Sequence, residues 1–172
     1  MNVSTVISRA MSGLAKTTAY KSPGKMPSFE ASSWQENGAC DCSGFVDWCL
    51  RFSPNRVVDH PLYKKINGGW FETTAIHADG LASVGYFSQL ETAKPGAMLV
   101  YPDYIGSDGK KHDGHIGIVI EVNGSGVRGV SKIVHCSMNG WTNKGDAIQA
   151  TGSEPWQAHV NSIIVWFESV EE

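Results

Sequence analysis

The sequence predicts an α+β fold in which N-terminal helices pack on a small antiparallel β-sheet. Two observations lead to this prediction. Apolar residues recur at helical spacing in two segments before residue 53, whereas from Ala97 onwards they alternate along short segments separated by glycine-rich turns. The 172 residues suffice for one hydrophobic core but not for two ordinary ones. We therefore expect a single domain over residues 1–172.

Two segments carry the helical pattern. The first, over residues 5–19, has apolar side chains at Val6, Ile7, Ala10, Met11, Leu14 and Ala15. The second, over residues 42–52, has them at Phe45, Val46, Cys49 and Leu50. Both sets recur every three to four residues, which is the spacing of an apolar helical face. We expect a loop between these helices over residues 20–40.

Strands are predicted in the C-terminal half of the chain. The candidate strands cover residues 97–101, 115–122, 127–138, 146–150 and 159–167. A loop rich in glycine and lysine separates the first two, over residues 105–113. Residues 53–94 carry mixed signals, with prolines, a Gly-Gly pair and a short helical pattern, and receive no assignment.

Charge and hydropathy exclude some classes of function. The net charge is −3, and the 14 basic residues form no run longer than a Lys-Lys pair, which argues against nucleic acid as a partner. No apolar run approaches the roughly 18 residues that span a bilayer, and the N-terminus lacks an apolar run of signal-peptide length. We expect neither a membrane span nor a visible export signal.

The four cysteines do not form a disulfide framework. Cys40, Cys42 and Cys49 lie within ten residues of one another, and Cys136 is distant. A domain of this size does not need covalent cross-links for stability. We therefore expect all four thiols to be reduced.

One cysteine lies at the predicted start of a helix. Cys42 follows Asp41 and begins the second helical segment. Unpaired backbone N–H groups and the positive end of the helix dipole favour a thiolate at such a position. Cys42 is therefore a candidate nucleophile, and a nucleophile needs a base and a group that orients the base.

The predicted hairpin brings two histidines together. His115 begins the strand over residues 115–122, with its side chain on the face opposite Ile116 and Ile118. If the turn is 124–126, an unbroken ladder places His115 directly opposite His135, with Cβ atoms about 4.5–5.5 Å apart. His115 is the candidate base that accepts the Cys42 proton, and His135 the residue that fixes its tautomer.

Four sequence blocks also carry a family resemblance. They are DCSGFV at 41–46, PGAMLVY at 95–101, GHIGIV at 114–119 and IVHCS at 133–137. In order and spacing they resemble the NlpC family of papain-like cysteine peptidases, bacterial cell-wall endopeptidases related to the CHAP amidases. The resemblance implies a papain-like fold without a cofactor. It assigns the nucleophile to Cys42, the base to His115 and the orienting role to His135.

The resemblance also implies a substrate. Members of the family cleave peptidoglycan stem peptides, so we expect hydrolysis of the amide bond between γ-D-glutamate and a diamino acid through a thioester. The family usually has a substrate-contacting tyrosine after the first helix, and Tyr20 takes this place. Ser43 and Trp34 are further candidate substrate contacts.

Several alternatives stay open. The chain is alternatively an amidase that cuts between sugar and peptide, an acyltransferase that uses the same thioester, or an inactive module that binds cell-wall peptides or a protein. An inhibitor or immunity protein is a further candidate partner. The expected place of action is the cell wall or periplasm, reached by phage delivery, by injection or with a signal that has been removed.

A metal site is the rival chemistry. The soft ligands available are Cys40, Cys42, His115, His135 and Cys136. However, Cys-x-Cys is not the usual zinc spacing, and adjacent residues of a strand point to opposite faces. No metal is therefore expected.

Overall fold

The computed structural model describes all residues, 1–172. The helices are α1 (Val3–Ser12), α2 (Cys42–Leu50), α3 (Pro61–Asn67), α4 (Thr73–Ala82), α5 (Met138–Lys144) and α6 (Glu154–Gln157). The strands are β1 (Ala19–Tyr20), β2 (Ala39–Cys40), β3 (Phe87–Leu90), β4 (Met98–Tyr101), β5 (Tyr104–Ile105), β6 (Lys111–His112), β7 (His115–Val122), β8 (Val130–Cys136), β9 (Ile148–Thr151) and β10 (Ile163–Phe167). No helix combines the length and the apolar composition needed to cross a bilayer.

A six-stranded antiparallel sheet forms the centre of the molecule. Its strand order is β3-β10-β4-β7-β8-β9. Helix α2 packs on β7 and β8, and α1 packs on α2. Every residue of α2 is buried, and the apolar ones join a core cluster of 36 buried residues. The prediction of an α+β papain-like fold, with N-terminal helices on a small antiparallel sheet, is confirmed.

Both N-terminal helices end earlier than predicted. Helix α1 ends at Ser12, where the Gly13 N–H bonds back to the carbonyls of Ala10 and Met11. Beyond it Ala15 and Thr17 take left-handed φ values of 58° and 53°, which cannot continue a right-handed helix. Helix α2 ends at Leu50 because Arg51 takes a left-handed φ of 50°.

The unassigned segment 53–94 contains two short helices and an edge strand. Helix α3 begins with Pro61 after a His60 cap and ends at Gly68, whose φ is 72°. Helix α4 is capped by the Glu72 carboxylate, which accepts hydrogen bonds from two backbone N–H groups. Strand β3 then pairs with β10 at the edge of the sheet. Such short helices carry too few apolar repeats for sequence periodicity to identify them.

The predicted loop between α1 and α2 contains a short parallel pair of strands. Strand β1 pairs with β2, and Tyr20 lies opposite Cys40. This pairing returns the chain to the start of α2 and brings Tyr20 to the same region as Cys42. Residues 105–113 likewise include part of a small hairpin, β5 with β6, where the sequence predicts a loop.

The hairpin of β7 and β8 forms, but with a different register. Ile118 pairs with Val134 and Val119 with Ile133, and irregularities follow on either side of Glu121. A one-turn 3-10 helix at Val127–Gly129 occupies the predicted start of the second strand. The ladder is shifted by two positions, so the prediction that His115 lies directly opposite His135 is wrong. An even shift keeps both rings on the same face, as diagonal neighbours.

Candidate active site

A buried ion pair fixes the start of α2. The Asp41 carboxylate caps the helix by accepting a hydrogen bond from the Gly44 N–H at 2.7 Å. The Arg56 guanidinium lies 2.9 Å from the same carboxylate oxygen and donates to the Ser43 hydroxyl at 2.6 Å. Because cap, guanidinium and hydroxyl hold one another, the first turn has a defined position. Cys42 is the first residue of that turn.

The Cys42 sulfur lies against the start of β7. Its side chain is largely buried, and Sγ is 4.0 Å from the Gly114 carbonyl oxygen. The Ile116 N–H and the Tyr20 hydroxyl both interact with the sulfur in the sense that lowers its pKa. Burial outweighs them, with Asp41 and Cys136 adding to it, and raises the pKa of the thiol to about 12. The expectation of a thiolate favoured by the helix start is therefore wrong for the free protein.

The two histidines of the hairpin form a hydrogen-bonded pair. Nε2 of His115 lies 2.8 Å from Nδ1 of His135, and the rings are nearly perpendicular, at 86°. Gly117, between them on the same face of β7, makes this possible. A Cβ at that position would lie 2.9 Å from the His135 Cβ and 2.6 Å from Cγ2 of Ile133.

A threonine fixes the protons on both rings. The Thr151 hydroxyl donates to the Gly152 carbonyl at 2.9 Å, so its oxygen accepts from Nε2–H of His135 at 3.0 Å. With Nε2 protonated, neutral His135 has a lone pair on Nδ1, which accepts from Nε2–H of His115. The free lone pair of His115 is therefore on Nδ1. This chain of donors leaves His115 as a base with a defined tautomer.

Burial keeps both imidazoles neutral. The pKa of His135 is lowered to about 4, by burial and then by the Lys144 charge. Burial also lowers the pKa of His115, with His135 and His159 acting in the same direction. The Trp156 ring stacks on His115, with centroids 5.1 Å apart and planes at 27°. At neutral pH the pair is uncharged and His115 is ready to accept a proton.

The thiol and the imidazole pair open into two adjacent pockets. Cys42 lines a pocket of ≈ 240 Å³ that also contains Tyr20 and the carboxylates of Glu72, Asp103 and Asp113. The histidine pair lines another, of ≈ 310 Å³, in which Lys144 is the one formally charged residue. The neighbours Gly114 and His115 belong to different pockets, so the start of β7 separates them. No hydrogen bond joins the Cys42 sulfur to the His115 ring.

The three predicted substrate contacts have different surroundings. Tyr20 and Ser43 line the Cys42 pocket, although the Ser43 hydroxyl is engaged by Arg56. Trp34 is instead only 2% exposed and lies outside both pockets. Its indole N–H donates to the Thr18 hydroxyl at 2.9 Å, and its ring packs edge-on against Trp48. The position of Trp34 is that of a core residue.

The sequence did not identify four residues of the site. Arg56 and Thr151 are distant in sequence from the residues that they hold, and neither belongs to a motif. Trp156 and Lys144 come from the short helices α6 and α5, where the sequence predicted no helix. Only the basic and aromatic character of Lys144 and Trp156 is visible in the sequence.

The soft ligands of the rival metal site diverge. The His135 ring points to His115, whereas the Cys136 sulfur lies 3.3 Å from the Cys40 sulfur on the other side of β8. No group of three histidine, cysteine or acidic side chains converges in a geometry that would hold a metal ion.

A comparison with protein families identifies the same region. The family model described as CHAP domain matches residues 32–139, which is more than half of the chain. The matched region includes Cys42, His115 and His135 and ends before Thr151. No curated protein matches the chain.

Proposed function

The chain belongs to the CHAP domain family, and we propose that it is a cysteine peptidase that cleaves peptidoglycan stem peptides at the bond between γ-D-glutamate and a diamino acid. Membership of the family implies a peptidoglycan amidase or peptidase that depends on cysteine and histidine. The observation that carries the proposal is that the matched region holds a thiol at a helix start and a histidine pair with a defined tautomer.

In the first half of the proposed reaction, Nδ1 of His115 takes the Cys42 proton as sulfur attacks the carbonyl carbon. The raised pKa of Cys42 and the lowered pKa of His115 favour a neutral pair, so the proton moves during the attack and not before it. A catalytic hydrogen bond that is absent in the free enzyme commonly forms in the substrate complex. His115 then gives the proton to the leaving amine, and a thioester remains on Cys42.

The second half releases the enzyme. His115 takes a proton from water, which attacks the thioester, and the carboxylic acid leaves as the Cys42 thiol is restored. Both tetrahedral intermediates place negative charge on the former carbonyl oxygen. The N–H groups of the first turn of α2 have no acceptors within the helix, and Cys42 and Ser43 are the first two residues of that turn. We propose these two as the donors to that oxygen.

The charges of the two pockets support an orientation for the substrate. The acyl group must lie on the Cys42 side, and the leaving amine must lie on the side of the imidazole that protonates it. Lys144 is exposed in the second pocket and makes no salt bridge. An ammonium group at that position suits a leaving amine that carries a carboxylate, as a terminal diamino acid does.

The alternative amidase makes a different demand on Lys144. When the bond between sugar and peptide is cut, the leaving amine belongs to the first residue of the stem peptide. The carboxyl of that residue is in an amide bond with the next residue and carries no charge. Lys144→Met should therefore raise KM about tenfold for a tripeptide stem, and Lys144→Arg should not. Cleavage next to the sugar of a muramyl tripeptide, with a KM that Lys144→Met leaves unchanged, would establish the amidase.

The test of the proposed function is mass spectrometry of digested sacculi and purified stem peptides. We expect the wild type to release fragments cut after γ-D-glutamate, and Cys42→Ala and His115→Ala to release none. Cys49→Ala, on the same helix but away from the pocket, and His77→Ala are the matched controls, which should retain cleavage. Binding of the stem peptides by the wild type without any cleavage would replace the enzyme with a binding module.

The expected place of action follows from the substrate. We propose that the protein works in the cell wall or periplasm, where stem peptides lie. Immunoblotting of cell fractions together with released wall fragments would test this. Protein confined to the cytoplasm of the cells whose walls are cut would contradict it.

A further inference from the structure

Two cysteines that the proposed reaction does not use face each other beside the active site. The Cys40 and Cys136 sulfurs are 3.3 Å apart, and Cys136 also contacts the Cys40 carbonyl oxygen. Both side chains are fully buried. Cys40 ends β2, two residues before Cys42, and Cys136 ends β8, directly after His135. The fourth cysteine, Cys49, makes no such contact with another sulfur.

We propose that Cys40 and Cys136 form a structural disulfide when the chain folds in an oxidising compartment. A disulfide has an S–S length of about 2.05 Å, so the sulfurs need to approach by little more than about 1 Å from their present positions. The bond would tie the strand leading into α2 to the strand that carries His135. This inference concerns the thiols alone and does not depend on the proposed reaction.

The two thiols are oxidised by thiol–disulfide exchange with a small-molecule disulfide. The thiolate of one cysteine attacks a small-molecule disulfide such as oxidised glutathione, which forms a mixed disulfide and releases one reduced glutathione. The thiolate of the second cysteine attacks the protein sulfur of that mixed disulfide and releases another. Two protein thiols are thereby oxidised and one glutathione disulfide is reduced. Because both sulfurs are buried once the protein is folded, the exchange belongs to folding and the finished bond is shielded from reductants.

The main alternative to the Cys40–Cys136 disulfide is a disulfide between Cys42 and Cys136. Cys42 is close enough to Cys136 for the two thiols to influence each other's ionisation. A bond between them would block the nucleophile. The burial of Cys40 and its direct sulfur contact with Cys136 favour the Cys40 bond and leave Cys42 as a free thiol.

The test is a peptide map after refolding the full-length chain in a glutathione redox buffer. Trypsin cuts after Lys25, Arg51, Lys132 and Lys144, so Cys136 separates from a peptide that contains the other three cysteines. We expect a cross-link between peptides 26–51 and 133–144 in the unreduced digest. The cross-link should persist in Cys42→Ala/Cys49→Ala, where Cys40 is the one cysteine left in peptide 26–51 to bond Cys136, and be lost in Cys40→Ala/Cys42→Ala.

A second measurement does not depend on how the single variants fold. The cross-linked wild type should unfold at a temperature roughly 10 °C above that of the reduced wild type, because the bond closes a long loop in the unfolded chain. The difference should persist in Cys49→Ala. Four alkylatable thiols after oxidative refolding, or the absence of the cross-link in Cys42→Ala/Cys49→Ala, where Cys40 is the one cysteine left in peptide 26–51, would overturn the proposal.

Discussion

The Thr151 hydroxyl determines which nitrogen of each active-site histidine carries a proton. It has one hydrogen, which it gives to the Gly152 carbonyl, and so it can only accept from His135. His135 therefore accepts at Nδ1 the hydrogen bond from Nε2–H of His115, at 2.8 Å, and the lone pair of His115 is left on its Nδ1. The Thr151 hydroxyl at the end of β9 thus acts on the proposed base, His115, through His135.

Replacing this hydroxyl should therefore impair catalysis more than folding. Thr151→Val keeps the shape but removes the acceptor, which leaves a buried N–H of His135 unpaired and its tautomer free. We expect kcat/KM for stem peptides to fall about 10- to 100-fold, as the loss of one buried hydrogen bond predicts. Thr151→Ser, which keeps a hydroxyl, should retain most activity. Equal losses in both variants would contradict the role of the hydroxyl.

Gly117 provides the space in which the two rings meet. A methyl group added there would lie 2.6 Å from Ile133 and 2.9 Å from His135, both on β8 and neither approached at the end of a long flexible side chain. Gly117→Ala should push β8 and the His135 ring away from His115. We expect a loss of about 1–3 kcal/mol in the free energy of unfolding, together with a loss of activity. Chemical denaturation and peptide cleavage measure the two effects, and wild-type values for both would refute this explanation.

At the scale of elements, the hairpin of β7 and β8 shows what sequence pattern can and cannot determine. The alternation of apolar residues gives the faces of β7, so placing His115 away from Ile116 and Ile118 needs only the sequence. The ladder depends on a 3-10 turn at Val127–Gly129 and on two irregularities, which no alternation encodes. The two rings still lie on the same face and form a hydrogen bond because the register is shifted by an even number of positions.

The start of α2 shows the same division. The sequence indicates a helix that begins at Cys42, and the structure agrees and shows Asp41 as its cap. Arg56, which neutralises that cap, comes from a turn with no recognisable pattern. The pKa of Cys42 could not be read from its helix position either, because burial outweighs the hydrogen bonds that the sulfur receives. Burial is a property of the packed molecule and not of the motif.

The ion pair at this helix start should be needed for stability. Its side chains are only 5% and 13% exposed, so Arg56→Leu would leave the Asp41 carboxylate buried without a counter-charge. We expect the free energy of unfolding to fall by about 3 kcal/mol or more. Asp41→Ser in addition should recover part of this loss, because serine still caps the helix and carries no charge. Urea denaturation of the two variants measures both, and a double variant less stable than Arg56→Leu would contradict the explanation.

At the scale of the whole molecule, buried titratable groups act on stability in opposite directions. His135 has its pKa lowered to about 4, so the unfolded chain binds its proton first as the pH falls below about 6.5. Its contribution to stability is present above pH 6.5 and is lost as the pH falls to about 4, and His115 acts in the same direction. Asp47 is fully buried, and burial raises the pKa of its carboxyl from 3.8 to about 7. Its contribution is present below pH 3.8 and is lost as the pH rises to about 7.

Removing the Asp47 carboxyl should therefore increase the loss of folding stability that the histidines cause as the pH falls. Between pH 7 and pH 4 the wild type gains stability from Asp47 while it loses stability from the two histidines, so Asp47 offsets part of the histidine loss. Asp47→Asn lacks the opposing contribution and should lose roughly 3–4 kcal/mol more than the wild type over the same interval. Urea denaturation across this pH range measures the difference. Asp59→Asn, at an exposed carboxyl, is the matched control, and parallel curves for wild type and Asp47→Asn would show that Asp47 titrates normally.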